Sequence, residues 1–298
     1  MKFILGYPEK NGIDGDLLDS GPVGDLAAAA ERAGWSGFAL TEHPVPGAKW
    51  LAHGGHQTLD PFVGLAFAGA ATERIRLLTH LAVAPYRNPF LLAKAAATLD
   101  RLTGGRFVLG VGTGYHKAEF FALGVDFDER NDLFDEMLDV LPLAWSGEPF
   151  SYQGRHFDAR DVIVKPAPAT QPIPIWIGGN SKLTRRRVAQ RAQGWMPFPV
   201  TGEVASTTRT PVLDSVDTLR SQIAELKEQA GPRAGDIEIA FGYHQPGVHQ
   251  PGVDVERHRD AFAELEEAGV DWLTLGAPSS TPAAVIGFAE EFGETYCR

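Results

Sequence analysis

Short apolar runs recur along the chain, each followed by a stretch whose apolar residues return every three or four positions. The runs fall near 2–6 (KFILG), 37–42 (GFALTE), 75–84 (IRLLTHLAVA) and 106–112 (RFVLGVG). Four more lie near 174–178 (PIWIG), 194–198 (GWMPF), 237–241 (IEIAF) and 271–276 (DWLTLG). Most are continuously apolar, which predicts strands buried on both faces, as in a parallel sheet. Between them, Val23, Leu26, Ala27, Ala30 and Ala33 share one helical face, as do Leu133, Met137, Leu141 and Trp145. Asp60-Pro61, Asn88-Pro89 and Thr281-Pro282 each pair a capping side chain with a proline suited to the first helical position. "AGW", "AQGW" and "AGVDW" lead helices back into strands, with glycine expected as the helix stop.

Strands alternating with helices in this way predict an α/β fold, a (β/α)8 TIM-like barrel rather than a doubly wound sheet. Neither a Ser/Gly/Pro tract nor a composition shift divides residues 1–298, so the chain reads as a single barrel domain. Residues 146–173 are too polar and proline-rich for a helix. They read as an insertion between strands four and five, with a small hairpin, "FSYQGRHF", turning at Gly154.

With 44% hydrophobic and 22% charged residues the chain can bury a large core. Its net charge of −11 argues against a nucleic-acid partner, because phosphate backbones call for a basic face. An anionic cofactor would need local amides or a few basic side chains. Cys297 is the one cysteine, which rules out an intrachain disulfide and Cys-based metal sites. The apolar run in "MKFILGYPEK" is too short for a signal peptide, and "PFVGLAFAGAAT" falls short of a membrane span. The expectation is a soluble, cytoplasmic protein with no membrane partner.

In such barrels the active site lies at the C-terminal ends of the strands. Strand two ends in Thr41, Glu42 and His43, and strand three carries Thr79 and His80. In "IGGNSKLTRRR", Gly178 and Gly179 permit a tight turn and Asn180 or Ser181 can cap the next helix. With Lys182, Arg185, Arg186 and Arg187 this reads either as a phosphate site with a basic skirt or as a turn before a solvated basic helix. "GVGTGYHKAEF" lacks the dinucleotide-binding spacing. Its alternating Gly110, Gly112 and Gly114, with Thr113 between the last two, either bare the backbone for a flat ring or bend the chain at a barrel corner. The pairs His53/His56 and His244/His249 lie in loops without metal-ligand spacing, so no metal is expected. Trp50, His53, His56 and Tyr86 are candidates to line a substrate pocket.

Together, "FALTEHP", "RIRLLTHLAVAPYRNP", "RLTGGRFVLGVGTGY", "FFALGVDFDERNDLFDEML", "YQGRHF", "KPAPATQPIPIWIGGNS" and "AQGWMPFP" resemble the bacterial-luciferase-like superfamily of flavin- and deazaflavin-dependent oxidoreductases. The likeness spans nearly the whole chain and is nearest to the subgroup associated with coenzyme F420. It implies a TIM-like barrel, usually a homodimer, holding a tricyclic ring at the strand C-termini. His43 matches a histidine facing the ring's reactive carbon, and Glu42 an acid contacting the cofactor. Thr79, His80 and Leu81 match a strand-three bulge, with a non-prolyl cis peptide expected at His80–Leu81. Thr113, Gly114 and the adjacent Tyr115 match the cofactor-contacting segment, and Gly178, Gly179, Asn180 and Ser181 the loop that binds its phosphate.

One position departs from the pattern: the related sugar-phosphate dehydrogenases carry a glutamate directly after "GTG", where this chain has Tyr115. The implied activity is hydride transfer between the deazaflavin and a small organic substrate, with His43 moving the proton and Glu42 tuning or orienting it. Basic residues at 182, 185 and 186 are expected to hold a polyglutamate tail. The alternatives are an FMN-dependent monooxygenase using oxygen and a reductase partner, a non-catalytic cofactor-binding protein, and a barrel metallohydrolase.

Overall fold

A computed structural model describes residues 1–297. The eight barrel strands are β1 (Lys2–Gly6), β2 (Gly37–Leu40), β3 (Arg76–Thr79), β4 (Phe107–Gly112), β5 (Ile175–Gly178), β6 (Gly194–Met196), β7 (Glu238–Gly242) and β8 (Trp272–Gly276). Each pairs in parallel with its successor, and β8 pairs with β1 in the register Lys2–Trp272 to Gly6–Gly276, so the sheet closes. The surrounding helices are α1 (Val23–Ala33), α2 (Pro61–Ala70), α3 (Pro89–Leu102), α4 (Arg130–Trp145), α5 (Lys182–Arg191), α6 (Val216–Ala230), α7 (Val255–Glu267) and α8 (Pro282–Tyr296).

The local signals act as their chemistry requires. Asp60 Oδ1 accepts from the amides of Phe62 and Val63, Asn88 Oδ1 from Phe90 and Thr281 Oγ1 from Ala284, opening α2, α3 and α8. Gly34 and Gly269 end α1 and the α7 turn at φ +96° and +99°, a region glycine enters freely. Gly194 does not stop a helix as "AQGW" predicts. It lies inside β6, where a Cβ would stand 2.3 Å from Trp176 Cδ1, so its value is the room it leaves for that indole.

Two packing layers result. Between barrel and helices lies the main core, while Ile4, Ala39, Leu78, Val108, Trp176, Met196, Ala240 and Trp272 fill the barrel interior. At the N-terminal end, Glu238 accepts from Lys2 (3.1 Å), Arg76 (2.9 Å) and Trp272 Nε1 (2.9 Å), closing the bottom with paired charge. Access is left at the C-terminal mouth. The 146–173 segment contains the expected hairpin, Phe150–Gln153 against Asp158–Val162, with Gly154 N–H donating to Phe157 O at 2.8 Å.

The 75–84 run is not one strand. β3 stops at Thr79, the His80–Leu81 peptide is cis as the resemblance implies, and Ala82–Val83 pairs separately with Val111 and Gly112. No helix among the described residues is long and apolar enough to cross a membrane.

Candidate active site

A cavity of about 940 Å3 opens at the mouth, walled by Gly6, Thr41, His80, Phe198, His244 and Gly276 among others. Pockets of roughly 300–1,000 Å3 accept cofactor-sized ligands. The bulge lies behind it and contributes His80 to the wall. A Cβ on Gly178 would stand 2.2 Å from Leu81 Cδ2, and one on Gly112 2.7 Å from Leu81 Cδ1. The glycines therefore do not present bare backbone to a ring, as their alternation suggests. They admit the Leu81 side chain, which fills the space over these two strands. Above Gly276 a Cβ would meet nothing within 4 Å. The wall also carries the Tyr7, Phe198 and Tyr243 side chains, apolar surface of the kind a flat ring system packs against. Thr79 is withdrawn from it, its hydroxyl donating to Gly110 O at 2.7 Å inside the barrel. Burial, then the charge of His244, push the His80 imidazole down to about 4, so it stands neutral at physiological pH.

Two residues beyond Thr41 of the cavity wall, and not itself lining that cavity, His43 is buried and held at both ring nitrogens. Nδ1 lies 3.1 Å from Glu119 Oε2, and Nε2 lies 3.3 Å from the Tyr115 hydroxyl. Its amide donates to Thr58 Oγ1 at 2.8 Å. Burial and then the Glu119 charge push the Tyr115 phenol up to about 12, so it stays a neutral donor. If Tyr115 donates to Nε2, the imidazole proton sits on Nδ1 and points at Glu119. Glu119 is fully buried on the short helix Lys117–Ala122. It also accepts from the Tyr86 hydroxyl at 2.8 Å and the Val45 amide at 3.3 Å. Residue-type reasoning missed Glu119; the one local hint is an acid on the buried side of a short amphipathic turn.

Glu42 does not orient His43. Its carboxylate turns away, accepting from the Val83 amide at 2.7 Å and pairing with Arg87. Burial raises its pKa, opposed by Arg87. The reason is geometric: adjacent residues at a strand end point to opposite sides, so Glu42 braces the segment behind the bulge while His43 faces the site.

Three pocket candidates converge on His43 or its partner. The Trp50 ring lies 4.6 Å from the His43 ring, His56 lies 5.0 Å away, and Tyr86 reaches Glu119. A two-residue ladder, Lys10–Asn11 with His56–Gln57, carries His56 inward, and its Nε2 stands 3.5 Å from Glu9. His53 does not join them. It is exposed and donates to Lys49 O at 2.7 Å, closing the short helix Ala48–Ala52. His116, not singled out by sequence, accepts from the Gly47 amide at 3.0 Å and its ring lies tilted against that of Trp50 at 5.1 Å.

At β5, Gly179 takes φ +113° and Ser181 caps α5, accepting from the Thr184 amide at 3.0 Å. The first-turn amides of α5 have no intrahelical acceptor, so an anion is favoured there. Asn180 is not a side-chain ligand for it. Its amide group bonds Phe198 through both N–H and O, and Pro211 O, tying the turn to the β6 loop. Nor do the arginines form a skirt: Arg185 pairs with Glu225 and Arg187 with Asp135, both at 2.8 Å. Lys182 and Arg186 alone remain exposed. Thr113 and Gly114 follow the end of β4 and do not line the cavity. Gly114 takes φ +75°, where a Cβ would collide with Val83 Cγ1 at 2.5 Å. No cluster of metal-ligating side chains occurs among the described residues.

A family model described as luciferase-like monooxygenase matches residues 9–244. An F420-dependent glucose-6-phosphate dehydrogenase of Nakamurella multipartita is 30% identical over 221 residues, 72% of this chain and 60% of the dehydrogenase. An FMNH2-dependent dimethylsulfone monooxygenase of Pseudomonas putida is 28% identical over 269 residues, 89% of this chain and 65% of that protein. Among solved structures, an F420-dependent secondary alcohol dehydrogenase in complex with an F420-acetone adduct superimposes with a TM-score of 0.74. It is 19% identical, covering 99% of this chain and 98% of the other, a likeness of fold.

Proposed function

The chain belongs to the luciferase-like monooxygenase family, whose members include F420-dependent and FMN-dependent enzymes, and we propose that it is an F420-dependent oxidoreductase acting on a small alcohol or carbonyl compound. The observation that carries the reading is the buried Glu119–His43 pair, two residues beyond Thr41 of the cavity wall. When bound, the deazaflavin would supply hydride chemistry. Each hydride leaving an alcohol carbon is matched by one proton leaving its oxygen, and His43 Nε2 is the atom available to take it. Glu119 at Nδ1 holds the imidazole in the tautomer whose Nε2 is basic, and favours the imidazolium once formed. Tyr115, a neutral donor, would yield its place at Nε2 to the substrate oxygen. In the reverse direction the same nitrogen returns the proton. Glu42 and Leu81 would brace the strand-three bulge, and the capped N-terminus of α5 would hold the cofactor phosphate.

His43→Ala should lower turnover by about 10^2- to 10^4-fold, the usual range for a lost general acid–base group, with cofactor affinity nearly unchanged. Unchanged turnover would refute the role. Reconstitution of the apoprotein with F420 and, separately, with FMN plus a reductase decides the cofactor. The dimethylsulfone relative favours the FMN test as the second arm, and oxygen-dependent turnover there would replace the proposal. A homodimer is part of this reading, and light scattering of the purified protein tests it.

A further inference from the structure

Phe127 stands between the short helix Lys117–Ala122 and α4, and three cations surround its ring. Lys117 Nζ lies 4.9 Å from the ring centroid, Arg130 Cζ 3.9 Å and Arg209 Cζ 4.9 Å. They arrive from three separate segments: the start of the helix that follows β4, the first residue of α4, and the end of the short helix Gly202–Thr208 that follows β6. Among the described residues none of the three forms an ion pair, whereas Arg185 and Arg187 are each matched to a carboxylate. Asp128 is the acid acting on Arg130, and Arg209 opposes its charge. Lys117 and Arg209 are exposed. Gathering like charges around one ring is unfavourable unless something anionic shares the space, and cation–π attraction at exposed sites is weak compensation. In a chain of net charge −11 the convergence stands out further.

The cluster adjoins the glycine turn. The hydroxyl of Thr210, next to Arg209, accepts from the Asn180 amide at 3.1 Å, immediately before the cap of α5. On its other side Lys117 follows Tyr115 by two residues. An extended ligand with its phosphate on α5 and its ring at the mouth would carry further negative groups past Phe127.

We propose that Lys117, Arg130 and Arg209 form a polyanion-binding patch that takes the carboxylates of the deazaflavin's glutamate tail, beyond the phosphate held at α5. This rests on the deazaflavin reading above and replaces the α5 arginines as the tail's partners. FMN ends at a single phosphate and has nothing to offer the patch.

The test is equilibrium binding to the apoprotein, followed by ligand fluorescence, of two ligands: the deazaflavin with its glutamates and the same molecule ending before them. The parent should bind the tailed form about tenfold more tightly, the size expected of two or three exposed ion pairs. In Lys117→Gln/Arg209→Gln, whose sites are exposed and leave the fold intact by circular dichroism, that preference should shrink to about twofold or less. Affinity for the shorter form should match the parent's. Raising salt should erode the preference in the parent alone. Equal binding of both forms by the parent, or a preference that survives in the double variant, would overturn the patch and leave the deazaflavin reading standing. Binding of FMN but of neither deazaflavin would overturn both.

Discussion

Glu119→Gln separates charge from shape at the proposed proton-transfer pair. The carboxylate is fully buried and receives His43 Nδ1 at 3.1 Å, Tyr86 at 2.8 Å and Val45 at 3.3 Å. A glutamine has the same outline, and its carbonyl can replace Oε2. Its NH2 then faces the Val45 amide, so one long hydrogen bond is lost, worth about 1–2 kcal/mol of stability. The catalytic cost has another origin. When His43 takes a proton, an imidazolium forms against the carboxylate. At that separation the Coulomb attraction is about 5 kcal/mol for an effective dielectric constant near 20. Desolvation and the sharing of Oε2 with Tyr86 leave a net value of about 1.5–3 kcal/mol, the usual range for a hydrogen bond to a charged group. The hydride-transfer step should therefore slow by roughly 10- to 150-fold while melting falls by only a few degrees. Single-turnover stopped-flow on the cofactor's absorbance, with the alcohol or carbonyl substrate found by screening, measures the first. Thermal denaturation measures the second. A rate within about twofold of the parent's would refute the argument, because no plausible geometry keeps that charge and leaves it without influence. Nitrogen-15 spectra of the imidazoles give a substrate-free check. His43 should be protonated at Nδ1 in the parent and lose that preference in Glu119→Ala.

Gly178→Ala should push Leu81 off its seat, since the new methyl would stand 2.2 Å from Leu81 Cδ2, at a cost of about 1–3 kcal/mol in chemical denaturation. Adding Leu81→Ala should recover part of that loss, and a double variant no better than the single one would disprove the contact. Arg106→Lys should cost about 2–4 kcal/mol, because the guanidinium donates to Gly69 O, Thr72 O, Thr72 Oγ1, Ile75 O and Thr103 O, a fork an ammonium cannot match. A loss below about 1 kcal/mol would contradict this. His80 and His56 are both depressed to about 4, chiefly by burial, so the unfolded chain binds more protons than the fold between that value and the unfolded value of 6.5. Their stability contribution is full above pH 6.5 and is lost as pH falls toward 4, by at most about 3 kcal/mol per histidine. The difference in acid stability between the parent and His80→Asn isolates one of them, and identical pH curves would count against it.

The barrel is legible because its causes are local. A strand buried on both faces, such as Phe107–Gly112, must be apolar throughout, and Asp60, Asn88 and Thr281 cap helices within three residues of themselves. The site is legible only where a residue acts through its position on a strand, as His43 does. Glu119 meets His43 across 76 positions and is one acid among many until its helix folds against the segment after β2. The arginines after Gly179 mislead for a similar reason. A run of positive charge looks solvated or ligand-seeking along the chain, but its carboxylates arrive from α4 and α6. Leu81 is hidden likewise. Nothing in "THLAV" tells that its side chain will lie across glycines of two other strands.

Moving an acid from position 115 to position 119 changes what it can do. Residue 115 meets Nε2, the side of the imidazole from which a substrate proton would come, and an acid there could exchange protons itself. Residue 119 meets Nδ1 and is sealed by Tyr86 and Val45, so it can set the tautomer and charge of His43 but cannot reach a ligand. Tyr115, held neutral with its pKa near 12, donates and does not accept protons at physiological pH. Of His43, Glu119 and Tyr115, Nε2 of His43 is then the one atom placed to exchange a proton with a substrate on the proposed chemistry. That suits a reaction moving one proton for each hydride, as between an alcohol and its carbonyl compound, and disfavours one that needs a separate acid and base on the substrate at once.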